Sequence, residues 1–468
     1  MDSMNLKDLH SVYFLGIGGI GMSAIARWFN HIGVPVWGYD KTPSSLTHSL
    51  ESEGMKITYT DSISELPGSF LASTENRLVI WTPAIPTDSV LKNYLTEQGY
   101  KLKKRSEVLG LITKDMYSVA VAGTHGKTTT SSMVAHLLKH AGKNIAAFLG
   151  GLTQNYQSNL ILNDEESDQD PIVVVEADEF DRSFLHLHPN ISILTSADPD
   201  HLDIYGDGSH VMEGFRDFLA LTAPNGMIIG QYKALEKLAP LKNPSVESIP
   251  YGIGSKRIRA NNIVAGIRGF RFDYVNENEE IKDLYLPLPG FHNIENALAA
   301  ITTALHFGVD EEKVKAGLLS YRGVKRRFEL VFEDANHVYI DDYAHHPEEI
   351  RAFLASVRAI YPNKRITAVF QPHLFTRTRD FAEGFSESLS LADEVILLDI
   401  YPARELPIPG VTSDMLLEGI KAPAKSLQTK EGLIPYLAQT QPEVLVTIGA
   451  GDIDRLVEPI HKWLSNGN

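Results

Sequence analysis

The sequence predicts an α/β protein of three domains, and three observations carry that prediction. A chain of 468 residues exceeds what one hydrophobic core ordinarily holds. Two apolar strands, near residues 12–15 and 117–122, run straight into glycine-bearing turns that open helices. From residue 338 onward, strand-like runs alternate with helical segments, the spacing of parallel βαβ units. The boundaries read as a Rossmann-like N-terminal domain over 1–115, a central P-loop ATPase-type α/β domain over 116–322, and a Rossmann-like C-terminal α/β domain over 323–468.

Composition narrows the function classes. A formal net charge of −16 argues against a general nucleic-acid or anionic-membrane binder, but it leaves room for phosphate ligands held by local positive charge. The chain has no cysteine, which excludes disulfides, Cys-based zinc or iron–sulfur sites and a Cys nucleophile. Any metal must then use oxygen or imidazole ligands, which favours Mg²⁺. The apolar stretch 12–26 is too short and too glycine-rich to span a bilayer, so a cytoplasmic location is expected.

In the first block, Val12-Tyr-Phe-Leu15 precedes Gly16-Ile-Gly18-Gly19-Ile-Gly21 and a helical run to Trp28. A second strand, 34–39, ends in Asp40. Glycines in such a turn let the backbone approach a pyrophosphate, which belongs to NAD, FAD or a UDP-sugar. Asp40 is placed to accept from a ribose hydroxyl. A glycine turn that is merely structural is the alternative.

The second block opens on Val121-Ala-Gly123-Thr124-His125-Gly126-Lys127-Thr128-Thr129. Backbone N–H groups of this turn point at an anion, and the helix N-terminus adds partial positive charge. Lys127 can reach a terminal phosphate, and the Thr128 hydroxyl can ligate Mg²⁺. The strict pattern wants glycine at 121, so Val121 makes this a variant phosphate loop. Glu176 ends an apolar strand, where a carboxylate can serve Mg²⁺; an ordinary strand-end acid is the plainer reading. His201, within Asp198-Pro-Asp200-His201-Leu-Asp203, is either a second-metal ligand or a turn histidine. Asn293 and Asn296 open a helix, where Asn caps as often as it faces a base.

Lys325-Arg326-Arg327 marks the passage to the third block. It reads as a solvated linker or as a phosphoryl clamp at a domain junction. Beyond it, polar clusters follow the strands: Asp341-Asp342-Tyr343-Ala344-His345-His346-Pro347, then Gln371-Pro-His373, then Gly449-Ala-Gly451-Asp452. Ligands of open α/β sheets bind at those strand ends. Arg377 and Arg379 could bind a carboxylate or phosphate, or simply face solvent.

In order along the chain, GIGGIGMS, GTHGKTTT, EADEFDRSFL, DPDHLD, HNIENALAA, GVKRRFE, DDYAHHP, FQPHLFTRTRD and GAGDI resemble the Mur ligases of peptidoglycan synthesis. The resemblance covers essentially the whole chain. It implies an ATP-dependent amide-forming enzyme whose small-molecule substrates are ATP, UDP-N-acetylmuramate and L-alanine, with two Mg²⁺ ions. By resemblance, Gly16, Gly18, Gly19, Gly21 and Asp40 meet the UDP-sugar rather than NAD. Gly123, Thr124, His125, Gly126, Lys127, Thr128, Thr129, Asn293, Asn296, Arg327 and Asp342 meet ATP. Thr128, Glu176 and His201 hold metal, with His201 standing where some relatives carry a carbamoylated lysine. His346, Arg377 and Arg379 meet L-alanine and the muramate end, and His201 and His346 are candidate acceptors of the amine proton. Closure of the third block about 322–327 is expected to exclude water from an acyl phosphate. A ligase that recycles murein tripeptide, a nicotinamide-dependent dehydrogenase and a non-catalytic nucleotide-binding regulator are the rival readings. No nucleic-acid or membrane partner is expected, and a weak homodimer is compatible with the sequence.

Overall fold

A computed structural model describes residues 6–163, 170–198, 208–266, 268–403 and 405–466. Its contacts divide the chain into two units: Met1–Ile263, Phe272–Tyr285 and His292–Arg322 form the first, and Val264–Arg271, Leu286–Phe291 and Gly323–Asn468 the second.

The first unit holds two parallel sheets. One is built from β1 (Ser11–Leu15), β2 (Val36–Tyr39), β3 (Lys56–Thr58), β4 (Arg77–Trp81) and β5 (Lys101–Lys104), in the order β3-β2-β1-β4-β5. Every residue of β1 is buried, with Val12 and Phe14 in one core and Tyr13 and Leu15 in the other. Burial on both faces is why this strand reads as an unbroken apolar run, without alternation. The order reverses at β1, so the turn after it opens into the crevice where such sheets bind ligands. Helix α1 (Ile20–His31) leaves that turn.

The second sheet contains β6 (Ser118–Ala122), β7 (Ile145–Phe148), β8 (Leu160–Leu162), β9 (Ile172–Glu176), β10 (Ile191–Leu194), β11 (Met227–Gln231) and β12 (Glu247–Tyr251). Its order is β12-β11-β10-β6-β9-β7-β8, parallel except for β8. Strand β6 is therefore central, with chain entering from both sides, and α2 (Lys127–His140) starts just beyond its carboxyl end. A three-stranded sheet follows, β13 (Arg259–Ala265), β14 (Phe270–Val275) and β15 (Glu280–Leu286), and then α3 (Phe291–His306).

The first two sequence blocks share one unit for a reason visible in their packing. Trp28 of α1 lies 6.3 Å from Phe148 of β7, and one core runs through both sheets. Beside it the buried Arg27 donates from Nε to both Glu53 oxygens at 2.9 Å and from Nη1 to the buried Asn159. Asn159 returns a hydrogen bond to Ser23 Oγ at 2.9 Å.

Helix α2 also carries a buried histidine. His136 faces Tyr156 OH at 2.8 Å through Nδ1 and the Gly317 carbonyl at 3.0 Å through Nε2. Burial pushes its pKa down to about 4. The folded state thus holds it neutral, while the unfolded chain protonates it near the ordinary 6.5. Its stabilisation is complete above that value and is lost as pH falls toward 4, by about 3 kcal/mol. In urea titrations between about pH 7 and about pH 4.5, His136→Gln should lose less stability than the parent chain by this order. Parallel losses in the two proteins would refute the assignment.

The second unit contains β16 (Glu329–Glu333), β17 (Val338–Asp342), β18 (Ile366–Phe370), β19 (Glu394–Leu397), β20 (Ala424–Leu427) and β21 (Val444–Ile448), ordered β16-β17-β21-β18-β19-β20. Only β16 is antiparallel. Strand β21 inserts between β17 and β18, which gathers Asp342, Gln371 and Gly449 at one edge: Gly449 N–H donates to the Asp342 carbonyl at 3.1 Å, and Gln371 N–H to that of Ile448 at 3.0 Å. Helix α4 (Pro347–Ile360) follows β17. Among the described residues no helix is long and apolar enough to cross a membrane.

Candidate active site

The turn after β6 is shaped by what lies against it. Gly123 has φ +137°, and a Cβ there would meet Thr195 Oγ1 at 2.2 Å; Gly126, the N-cap of α2, has φ +81°, and a Cβ there would meet Asn296 Oδ1 at 2.8 Å. Both positions need glycine on conformational and steric grounds. The turn is tied to the segment after β10: His125 N–H donates to Ser196 Oγ at 2.8 Å, and Thr124 Oγ1 lies 2.9 Å from the same oxygen. Lys127, Thr128 and Thr129 form the first turn of α2.

Lys127 folds back over this turn. Its ammonium donates to the Gly123 carbonyl at 2.6 Å and pairs with Glu179 at 2.8 Å, where Glu179 is 1 % exposed. Burial works against the Lys127 charge, yet Glu179, Glu176 and Asp178 more than offset it and set its pKa above that of an ordinary lysine. Strand β9 pairs with β6 so that Glu176 lies opposite Val121. The Glu176 carboxylate accepts from Thr128 Oγ1 at 2.9 Å and from Gly150 N–H at 2.9 Å. Two oxygens converge here, a set that Mg²⁺ uses when substrate phosphates and water supply its remaining ligands. Among the described residues no three His, Cys, Asp or Glu side chains gather as a metal site. His201 lies outside the described residues.

Asn293 and Asn296 are both buried on α3, and Asn296 Nδ2 donates to Asn293 Oδ1 at 3.2 Å. The contact with Gly126 puts this amide pair beside the phosphate loop.

At the turn after β1, Gly19 is the N-cap of α1 and has no side-chain cap bond. Asp40 accepts from Gly18 N–H at 2.8 Å and from Thr42 N–H at 3.2 Å, so its oxygens brace the glycine turn. Gly16 lies behind it with φ +87°. Arg105, which follows β5, was not singled out in the sequence. Its guanidinium packs so close to Gly21 that a Cβ there would meet Nη1 at 2.8 Å, and its Nη2 pairs with Asp178 at 3.2 Å. Consecutive carboxylates, Asp178 and Glu179, thus hold one cation at each of the two glycine turns. Only the fold reveals this, because Arg105 and Asp178 are 73 residues apart.

In the second unit, Asp342 accepts from Phe328 N–H at 2.7 Å and Ala344 N–H at 2.8 Å. Burial pushes its carboxyl up to about 6 against the pull of Arg327. Arg327 lies with its guanidinium 5.2 Å from the Tyr343 ring centre. His346 serves as the N-cap of α4, accepting from Glu348 N–H at 3.4 Å, with its ring 4.8 Å from that of Phe381. Its neighbour His345 is also half-buried. Its Nδ1 donates to the Tyr343 carbonyl at 3.0 Å, its ring lies 6.4 Å from that of His373, and burial lowers its pKa. Arg377 and Arg379 share the helix Phe375–Asp380; Arg377 is half-buried, whereas Arg379 is exposed and pairs with Asp380 at 2.7 Å.

Three family descriptions match the chain in succession: the Mur ligase family catalytic domain over 11–117, the Mur ligase middle domain over 121–304, and the Mur ligase glutamate ligase domain over 326–451. The chain is 47% identical over 460 residues to the UDP-N-acetylmuramate–L-alanine ligase of Cytophaga hutchinsonii, covering 98% of this chain and 97% of that one. It is 49% identical over 462 residues to that of Flavobacterium psychrophilum, with 98% and 99% covered. Among solved structures it is similar to the UDP-N-acetylmuramate-alanine ligase of Thermotoga maritima, at a TM-score of 0.81 and 28% identity over 97% of this chain and 99% of that one. A murein peptide ligase from Psychrobacter arcticus shares the fold at a TM-score of 0.71 and 23% identity, over 98% and 99%.

Proposed function

The chain belongs to the Mur ligase family, and from that premise we propose that it joins L-alanine to the lactyl carboxylate of UDP-N-acetylmuramate, converting ATP to ADP and phosphate. The observation that carries this reading is the Thr128–Glu176 contact beside Lys127, in a chain that matches alanine-adding ligases over nearly its full length. Of its three α/β domains, 1–115 is the Rossmann-like UDP-sugar domain. The P-loop ATPase-type domain is 116–322, and the Rossmann-like 323–468 takes the amino acid. The reaction belongs in the cytoplasm, where ATP and nucleotide sugars are made.

A carboxylate is a poor electrophile, so it must be activated before an amine can attack. Transfer of the ATP γ-phosphoryl group to the lactyl oxygen gives an acyl phosphate and ADP. The neutral amine of L-alanine then adds to the acyl carbon, and collapse of the tetrahedral intermediate expels phosphate. Lys127 and Arg327 stabilise charge on the transferring group, since positioning and electrostatics dominate such transfers. Thr128 and Glu176 would hold one Mg²⁺ and His201 a second, the ions supplying charge neutralisation on the phosphates. Asn293 and Asn296 face the adenine, Asp342 the ribose, and His346, Arg377 and Arg379 the alanine and muramate end.

Phosphate release from MgATP and UDP-N-acetylmuramate tests the reading, with L-alanine, glycine, L-serine or murein tripeptide supplied separately. Release that needs the UDP-sugar and is strongest with L-alanine is expected. Preference for the tripeptide would move the chain to the recycling ligases, and silence with every acceptor would remove the ligase assignment.

Arg105 yields a second expectation. A guanidinium at the mouth of the first glycine turn suits a bidentate hold on a pyrophosphate. Arg105→Gln should raise KM for the UDP-sugar about ten- to a hundred-fold while kcat at saturation stays within a few-fold. An unchanged KM would restrict Arg105 to its pairing with Asp178.

A further inference from the structure

Arg327 is bracketed by two residues whose backbones sit where side chains rarely go: Arg326 has φ 61° and Phe328 has φ 48°. Non-glycine residues held in this region are strained, and persist when their surroundings over-determine them. The surroundings here do so. Arg326 N–H donates to Glu329 Oε2 at 2.8 Å, and its carbonyl accepts from Tyr343 N–H at 2.7 Å. Its Nε donates to Asp341 Oδ2 at 3.0 Å and its Nη2 to the Gly449 carbonyl at 2.5 Å. Asp341 is 0% exposed and is itself fixed by Thr447 Oγ1, which donates to Oδ1 at 2.6 Å. On the other side Phe328 N–H hangs from Asp342. Both ends of the segment are thus fastened to consecutive carboxylates at the end of β17.

We propose that Arg326 is a positioning residue, locked by Asp341 and the Gly449 carbonyl, that fixes the backbone and aim of Arg327 for phosphoryl transfer; this rests on the role given to Arg327 above. The two guanidinium groups divide the work. Each lies 5.2 Å from the centre of the Tyr343 ring, and the charge of Arg326 is met by a buried carboxylate. Among the described residues no carboxylate lies within ion-pair distance of the Arg327 guanidinium, and the buried Asp342 feels its charge from farther off. A lysine at 326 would keep the charge but lose the planar fork that reaches Asp341 and Gly449 together.

A double-mutant cycle on the full chain tests this, reading UDP-sugar- and alanine-dependent phosphate release as kcat and KM for ATP. Arg326→Met should lower kcat about ten- to a hundred-fold with a much smaller change in KM, and Arg326→Lys should recover part of the loss. In an Arg327→Lys background the same Arg326→Met change should cost no more than about three-fold, because what it positions is already gone. Equal losses in both backgrounds would show that Arg326 acts independently and overturn the proposal. An unchanged kcat in Arg327→Lys alone would instead remove Arg327 from the reaction, and the positioning role with it. Should Arg326→Met not fold, Arg326→Lys and Asp341→Asn complete the same cycle, with the same additive outcome counting against the lock.

Discussion

Lys127→Ala should lower ligase turnover by about a thousand-fold or more, the loss expected when a preorganised cation is removed from a phosphoryl-transfer site. In the free protein this ammonium rests on the Gly123 carbonyl and on Glu179, close to the N-terminus of α2 and the Thr128–Glu176 pair. Its acceptors are thus ones that a terminal phosphate can replace without moving the backbone far. The substitution carries a complication that makes the experiment sharper. Removing Lys127 takes a cation away from the nearly inaccessible Glu179 carboxylate, which costs on the order of a few kcal/mol unless the acid takes up a proton. Lost activity could then reflect lost fold. Adding Glu179→Gln to Lys127→Ala removes that buried charge as well. The double variant should regain thermal stability and remain inactive. Activity within about ten-fold of the parent in either variant would take Lys127 out of the transfer step.

Lys127, Thr128 and Glu176 were legible because each is specified locally. A strand running into a glycine turn and a helix places the first two, and the end of an apolar strand places the third. Asn293 and Asn296 were legible as a pair for a similar reason, three residues apart on one helix start. What the sequence hid is the choice of partner. Asp40 has the spacing of a ribose acceptor, and the fold adds that its carboxylate accepts from the Gly18 and Thr42 N–H groups and braces the turn. Between two adjacent histidines nothing in the pattern tells that His346 will cap a helix and His345 will bond the Tyr343 carbonyl; the entry of α4 at Pro347 decides the first. Arg105 and Arg326 draw their meaning from carboxylates and carbonyls brought in by distant segments, and Glu179 from the Lys127 ammonium. The grouping of the first two blocks into one unit is likewise non-local: Trp28 meets Phe148, and Arg27 meets Asn159 across 132 residues.

Glu176→Gln should cut kcat/KM about a hundred-fold and raise the Mg²⁺ concentration needed for half-maximal phosphate release. The carboxylate accepts from both the Thr128 hydroxyl and Gly150 N–H through one oxygen. A glutamine carbonyl can accept those same two bonds, so the fold should survive and the melting temperature should move little. What the amide cannot supply is negative charge for a hard cation, and this separates a metal-holding role from a structural one. Thr128→Val makes the complementary change, deleting the hydroxyl at nearly constant volume and leaving the charge of Glu176 in place. If both residues serve one ion, the two variants should shift the Mg²⁺ titration in the same direction. Their combined effect should then fall short of the product of the single effects, because a ligand set already broken loses less when broken again. A rate loss in Glu176→Gln with an unmoved Mg²⁺ titration would mean that the carboxylate orders the turn through Gly150, and that the cation is held by other groups.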